Sequence, residues 1–216
     1  MKNARKVLLL VLCLVLVVSA TVMGTLAYLT STDSVVNTFT VGNVQITLDE
    51  ADVKTNGSYE TNHDNRVKAN DYKLMPGHTY IKDPTVTVKA GSEDSYVRML
   101  VTISNATNLK AVFGDNFLPE NYIKGWDSTT WVSTKAVAED TEKNTLTYEF
   151  RYKEVVKASA NDTVLDDLFE EFTVPGTING TDLAKLQDTT ITVVAHAIQA
   201  DGFADADAAW NAFTQN

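Results

Sequence analysis

Cysteine is nearly absent from this chain of 216 residues. The single one, Cys13, lies inside an apolar run near the N-terminus and lacks the preceding small residue that a lipoprotein cleavage site needs. The rest of the chain therefore forms no disulfide and no thiolate metal site. In an exported protein, this lack of disulfides is typical of a bacterium without an oxidising folding compartment, and it points to a Gram-positive source.

The sequence also lacks the short motifs that carry common chemistries. It has no Gly-x-Ser-x-Gly elbow for a serine nucleophile, no glycine-rich phosphate loop and no His-Glu-x-x-His zinc helix. The three histidines, His63, His78 and His196, are far apart in sequence, so only folding could bring them to one metal ion. We expect no catalytic residue, no cofactor and no metal site, and we predict that the protein is not an enzyme.

Aspartates recur near the C-terminus, at Asp201, Asp205 and Asp207. Closely spaced carboxylates suit calcium, but no glutamate follows in the place where a calcium loop has its bidentate ligand. A loop that leads into a capped helix explains the same residues. We favour the helix, and weak calcium binding stays open.

Positive charge is scarce. The chain has 18 Lys and Arg residues against 28 Asp and Glu residues, a net charge of −10. Three of the basic residues lie within residues 1–6, so residues 28–216 hold 15 basic and 28 acidic residues and carry a net charge of −13. Such a surface argues against nucleic acid or anionic lipid as a partner.

The N-terminus has the order of a secretory signal peptide. Basic residues within 2–6 precede an apolar run at 7–18, and small and polar residues follow. The run is shorter than the roughly 20 residues that cross a bilayer, although a membrane anchor is the alternative. Small residues at Thr25 and Ala27 predict cleavage before Tyr28; a second possible site follows Ala20.

These features predict three regions: a signal peptide at 1–27, a flexible segment at 28–38 and a single domain at 39–216. The expected location is extracellular or at the cell surface. Contact with the membrane is expected only through the uncleaved leader, and a signal peptidase is the partner during export.

Apolar residues of the domain alternate with polar ones, as in strands. A glycine at Gly42 interrupts the first pattern, which suggests a bulge, and Met75-Pro-Gly predicts a turn. The last strand is the longest and apolar enough to be central in a sheet. The polar stretch 50–71 reads as a surface loop. We predict strands at 39–41, 44–48, 85–90, 96–104, 145–153 and 189–199.

Helices are few. Short ones are predicted at 106–113 and 205–213, and a third after Asp162, whose apolar face would consist of Leu165, Leu168, Phe169 and Phe172. Strands separated by turns, with few helices, predict a mainly β fold: an antiparallel β-sandwich or jelly roll.

Two stretches carry a resemblance to a known family. Residues 24–30 read Gly-Thr-Leu-Ala-Tyr-Leu-Thr, and residues 37–46 contain Phe39, Val41 and Gly42 at the start of the first strand pattern. Together with a Leu-Met-Pro-Gly turn at 74–77, they resemble the TasA and camelysin-like family of exported proteins, which the dedicated signal peptidase SipW processes. In that family cleavage falls late, after an alanine preceded two residues earlier by a threonine, as at Thr25 and Ala27.

The resemblance implies a jelly-roll subunit of extracellular fibres in a biofilm matrix or a spore-associated layer. In such fibres the freed N-terminal segment inserts as a strand into the next subunit, which satisfies an open sheet edge and propagates head to tail. By position, the donor strand would be residues 28–38, with Tyr28, Leu29, Val35 and Val36 as its apolar side chains. The implied partners are further copies of the chain and other matrix proteins. A disordered tail is the alternative for this segment.

Two other functions stay open. Trp126 and Trp131 flank a polar turn, as in some carbohydrate binders, so one alternative is an extracellular module for cell-wall glycan or a host surface. Loop tryptophans that fold back onto the core are the commoner explanation of such a pair. Camelysin-type relatives also suggest a secreted metallopeptidase, for which the sequence has no zinc-binding helix.

Overall fold

The fold is mainly β, as predicted, with antiparallel sheets and a few short helices. A computed structural model describes residues 42–213, which form eleven strands and three α-helices. The strands are β1 (Ile46–Ala51), β2 (Arg66–Val67), β3 (Thr79–Ile81), β4 (Thr85–Val88), β5 (Ser95–Ser104), β6 (Ile123–Lys124), β7 (Trp131–Asp140), β8 (Thr145–Tyr152), β9 (Thr163–Val164), β10 (Glu171–Thr173) and β11 (Ile191–Gln199). The helices are α1 (Ala106–Phe113), α2 (Gly180–Lys185) and α3 (Ala206–Ala212).

Several predictions fall outside the described residues. They are the signal peptide, its cleavage site at Thr25, Ala27 and Tyr28, the donor strand with Leu29, Val35 and Val36, and the first predicted strand at 39–41.

The strands form three antiparallel sheets. Their orders are β2-β1-β4-β9, β3-β10-β6 and β11-β5-β8-β7. The two four-stranded sheets contribute to one hydrophobic core, in which Val86 and Val88 of β4 pack with Met99 of β5 and Phe150 of β8.

In β5, the alternation of apolar and polar residues produces one buried face. Its burial alternates along ten residues, and Val97, Met99, Val101 and Ile103 are all at most 5% exposed. β8 lies beside it in register, with Phe150 opposite Met99 and Tyr148 opposite Val101. Residues two apart on a strand share one face, so this period of two buries a continuous apolar row. The prediction of a strand here is confirmed.

The prediction that the last strand is the longest and central is wrong. β11 has nine residues, fewer than β5 and β7, and among the strands of residues 42–213 it lies at the edge of its sheet, paired with β5 alone. On the outer face of β11, Val194 is 42% exposed. Apolar residues on both faces are typical of a central strand, but here they occur on a strand whose outer neighbour is missing from the described residues.

The helix predicted after Asp162 is wrong. Thr163–Val164 forms β9 instead, and the backbone N–H groups of Leu165 and Leu168 donate to the carbonyls of Val86 and Pro84. The carboxylate of Asp162 accepts from the backbone N–H of Ala90 at 2.9 Å and pairs with Lys89. The apolar residues of this segment do enter the core, but from an irregular loop, which a helical spacing alone does not distinguish.

The sequence pattern did not reveal β7. This ten-residue edge strand pairs with β8, and its register shifts between Ser133 and Val137, where Lys135 takes a φ of 55°. Val132 and Val137 are more than 40% exposed. The bulge breaks the alternation that is typical of a strand. The short strand β2 was also missed, because it lies within the polar stretch 50–71 that was predicted to be a loop.

Two of the predicted helices are confirmed, α1 at the predicted bounds and α3 within them. Asp205 is the N-cap of α3, where its side chain accepts from the backbone N–H of Ala208. The short helix α2 was not predicted; Asn179 caps it in the same way by accepting from the backbone N–H of Asp182. Across residues 42–213, no helix combines the length and the apolar composition needed to cross a membrane.

Candidate functional site

An open groove with a volume of about 1220 Å³ lies beside β1 and β11. Residues 48–50 of β1 line the groove, as do residues 189–193, which include the start of β11. Its apolar wall includes Phe113, Phe117, Tyr122, Phe172 and Leu186. Several of these side chains belong to the hydrophobic core cluster or pack against it, so the groove reaches the core of the protein.

One side of the groove is an unpaired strand edge. The backbone N–H of Ser104 donates to the carbonyl of Thr190, which lies just before β11. Hydrogen-bonded pairs recur at every second residue of this antiparallel pairing, so the even-numbered residues of β11 are the ones that bond to β5. Successive residues of a strand point their N–H and C=O groups to opposite sides. The backbone groups of Ile191, Val193, Ala195, Ala197 and Gln199 therefore face away from β5, and within residues 42–213 nothing is hydrogen-bonded to them.

The side chains of these residues are only half-covered. Ile191, Val193, Ala195 and Ala197 pack against the core, yet all are partly exposed. On the neighbouring strand β5, the residues opposite them are at most 5% exposed. The difference arises because β5 has a strand on both sides and β11 on one. Within the described residues, the sheet therefore ends at β11, where its apolar face is still partly exposed to solvent.

The other side of the groove is the edge of β1. The carbonyl of Gln45, just before β1, accepts from the N–H of Lys89, just after β4. The odd-numbered residues of β1 therefore bond to β4. The backbone groups of Ile46 and Leu48 face outwards, and from Glu50 onwards β2 pairs with this edge. Beyond β2 the chain leaves the edge, and the ammonium group of Lys68 donates to the carbonyl of Leu48.

Residues 66–74, which we call the strap, run along this edge of β1. The amide N–H₂ of Asn70 donates to the carbonyl of Ala51 at 2.8 Å, and its oxygen accepts from the N–H of Val53 at 2.9 Å. The hydroxyl of Tyr72 donates to the carbonyl of Ile81 at 3.0 Å. Burial, together with the nearby Glu50 and Asp83 carboxylates, raises the pKa of Tyr72, so this hydroxyl stays protonated and keeps donating.

A charged network anchors the start of the strap. Arg66 donates to Asp49 at 2.9 Å, to Asp83 at 2.5 Å and to the hydroxyl of Thr85 at 2.7 Å. Asp83 is 3% exposed, and its other carboxylate oxygen accepts from the N–H of Ala51 at 2.7 Å. Charge-assisted hydrogen bonds of this kind are the strong ones, so they hold the strap on β1.

A second ion pair lies beneath the strap. Lys82 and Glu50 are 6% and 7% exposed and form a salt bridge, and Asn70 also donates to Glu50 at 3.0 Å. Buried charges are tolerated when each finds its partner, and removal of one partner is costly. The strap residue Asn70 thus satisfies both the backbone of β1 and a buried carboxylate next to it.

The structure does not gather the three histidines. His63 lies 3.3 Å from Asp83, His78 lies beside Tyr80, and His196 stacks on Phe213 with ring centroids 4.8 Å apart. Among residues 42–213, no group of three or more His, Cys, Asp or Glu side chains is placed to hold a metal ion.

The tryptophans do not form an exposed pair. Trp131 is fully buried, and its indole N–H donates to the carbonyl of Asp166 at 2.9 Å. Trp126 is partly buried, donates to the carbonyl of Trp131 and packs edge-on against Phe150. These positions match the interpretation of tryptophans folded onto the core.

The C-terminal aspartates are engaged with the protein. Asp205 caps α3, and Asp207 forms an ion pair with Arg151 of β8. This arrangement is the capped helix that the sequence suggested.

Comparison of the chain with models of known families, with curated proteins and with solved structures finds no match.

Proposed function

We propose that this chain is a secreted structural protein of a bacterial extracellular matrix, a TasA-like fibre subunit. After removal of the signal peptide at 1–27, residues 28–38 of one copy insert as a strand into the groove of the next. The domain is then a β-sandwich of jelly-roll type that one strand from a neighbour completes. Further copies of the chain, and other matrix proteins with a similar segment, are its partners.

The observation that carries this proposal is the edge of β11, which no strand of residues 42–213 pairs with, together with the half-covered apolar side chains beside it. A free edge is a template for another strand, and an added strand gains main-chain hydrogen bonds and buries alternate side chains. Monomeric proteins usually blunt such edges with charges, bulges or very short strands. β11 is nine residues long and regular in its pairing with β5.

The position of Gly42 supports transfer between copies. The carbonyl of Asn43 accepts from the N–H of Glu93, and the next residue, Asp94, pairs with Ala200 just after β11. The described chain therefore starts near the C-terminal end of β11, whereas the groove is lined by residues 189–193 near its N-terminal end. A segment that leaves at one end of the domain and a groove at the other favour a head-to-tail contact, which propagates into a filament.

The alternatives gain no comparable support. A glycan-binding module would use an exposed aromatic platform, whereas Trp131 is buried. A metallopeptidase would need its ligands together, whereas the three histidines have separate surroundings within the described residues.

Electron microscopy of the leader-free chain, residues 28–216, tests the proposal. We expect fibres from this chain and monomers from a control that begins at residue 39. A synthetic peptide of residues 28–38 should inhibit fibre growth, because it fills the groove without carrying a domain. Fibres of equal yield from the control, or persistent monomers of the longer chain with and without preformed seeds, would contradict the proposal.

A further inference from the structure

The two strand edges that border the groove differ in how many backbone groups they leave free. Within the described range 42–213, β11 leaves the outward N–H and C=O groups of five residues unpaired: 191, 193, 195, 197 and 199. On β1, only Ile46 and Leu48 precede the part paired with β2, and the carbonyl of Leu48 is taken by Lys68. An incoming strand therefore finds a continuous ladder on β11 and a short, partly occupied one on β1.

The distance between the two edges also indicates that an incoming strand pairs with one of them and not with both. A strand bonded on both sides holds its neighbours about 9.5 Å apart, since paired strands lie about 4.8 Å from each other. Cα atoms of β1 and β11 approach within 8 Å. Both edges cannot pair with the same inserted strand along their whole length unless the sheets separate.

The segment that precedes the described domain has the length of such a strand. Residues 28–38 span about 36 Å when extended at 3.3 Å per residue, and β11 spans about 30 Å at the same rise. Leu29 and Val35 lie an even number of residues apart and share one face of an extended chain. The same face carries Ser31, Asp33 and Asn37, and the opposite face carries Tyr28 and Val36 beside hydroxyl side chains, Thr30, Thr32, Ser34 and Thr38.

We propose that β11 is the accepting edge and that the strap closes the edge of β1, so that residues 28–38 of a second copy pair with β11 alone. This inference rests on the proposed function, and it adds the surface that receives the strand and the residues that exclude the competing surface.

Matched proline variants distinguish the two edges. Val193→Pro removes an outward N–H of β11, and Ile46→Pro removes an outward N–H of β1 at a residue that does not line the groove; within residues 42–213 neither group has a partner. Proline is tolerated on edge strands where its missing N–H faces outwards. Both variants are made in the leader-free chain, and melting curves establish that each folds.

We expect Val193→Pro to abolish fibres in electron micrographs and to weaken binding of a fluorescent peptide of residues 28–38 at least tenfold. Ile46→Pro should assemble and bind like the wild type. Loss of assembly in Ile46→Pro alone, or equal loss in both folded variants, overturns the assignment. If the wild type forms no fibres but the peptide binds it and not Val193→Pro, polymerisation is wrong and the edge assignment holds.

Hydrogen exchange of the wild-type chain with the same peptide needs no variant. Slower exchange of the amides of Ile191, Val193 and Ala195 is the expected result. Slower exchange at Ile46 and Leu48, with β11 unchanged, overturns the assignment even if both proline variants fail to fold.

Discussion

Lys68 places its ammonium group on the backbone carbonyl of Leu48, at the point where β2 leaves the edge of β1. This carbonyl faces the outer side of β1, away from β4. A lysine on an edge is one of the devices by which proteins prevent unwanted pairing. The contact thus protects a stretch of edge that the short strand β2 does not cover.

Lys68→Ala should increase irregular association with little loss of stability. Water replaces the ammonium group, so the free energy of unfolding should change by no more than about 1 kcal/mol. Light scattering during incubation should rise faster than for the wild type. Lys73→Ala is the matched control, because Lys73 is an exposed lysine of the same strap whose described contacts come from its backbone. Equal scattering of the two variants would contradict this role of Lys68.

Gly57→Ala should be strongly destabilising. Gly57 has a φ of +83°, and a Cβ there would lie 2.7 Å from the Cα of Tyr80. The left-handed backbone costs about 1–2 kcal/mol for a residue with a side chain, and the clash adds about 1–3 kcal/mol. Gly91→Ala is the control for the backbone term, because Gly91 has a φ of +76° and open space around it. Urea unfolding should show a clearly larger loss for Gly57→Ala; equal losses would mean that the loop moves away from Tyr80.

Phe150→Ala should remove about 3–5 kcal/mol from the free energy of unfolding, as large core truncations do. Phe150 is 1% exposed and packs between the two four-stranded sheets. Val194→Ala, at a position 42% exposed on the outer face of β11, should cost less than about 1 kcal/mol. Urea unfolding curves measure both. A small effect of Phe150→Ala would mean that the core collapses around the cavity.

His196 should make stability depend on pH in the mildly acidic range. The pKa of His196 is lowered, mainly by partial burial and secondly by the positive charge of Arg98. The negative charge of Glu149 has a smaller, raising effect on this pKa. Arg98 donates from Nε to Nδ1 of His196 at 3.3 Å, so the ring is neutral when folded. Below pH 6.5 the unfolded chain binds a proton more readily than the folded chain, and stability falls as the pH drops towards the lowered pKa.

The difference between the wild type and His196→Gln isolates this effect, since both chains keep His63 and His78. From pH 7.5 to pH 5.5 the melting temperature of the wild type should fall further than that of the variant. Parallel curves for the two chains would show that protonation of His196 does not oppose folding.

The sequence predicted the parts of the fold that local periodicity encodes. The rows through Met99 and Phe150 alternate without interruption, and both strands are observed. Asp205 precedes a helix, as its capping chemistry indicates. After Asp162 the same reasoning failed, because Leu165 and Leu168 are held by backbone bonds to a distant strand, β4 and the residue before it.

The candidate site was harder to predict, since it depends on contacts between distant residues. Lys68 and Asn70 belong to a polar stretch that resembles any surface loop, yet each bonds to β1 about twenty positions earlier. The apolar residues on both faces of β11 resembled those of a central strand. Local pattern cannot state whether the neighbour that covers such a strand belongs to the same chain.

The bulge in β7 has a consequence for the shape of any assembly. At the opposite border of the β11 sheet, the register shift between Ser133 and Val137 and the positive φ of Lys135 distort the main chain, so this border is a poor match for a straight partner. If copies pair through β11 as proposed, sheet extension is favoured at that border over the irregular one. Copies would then be added in single file and would not spread into ribbons that widen in two directions.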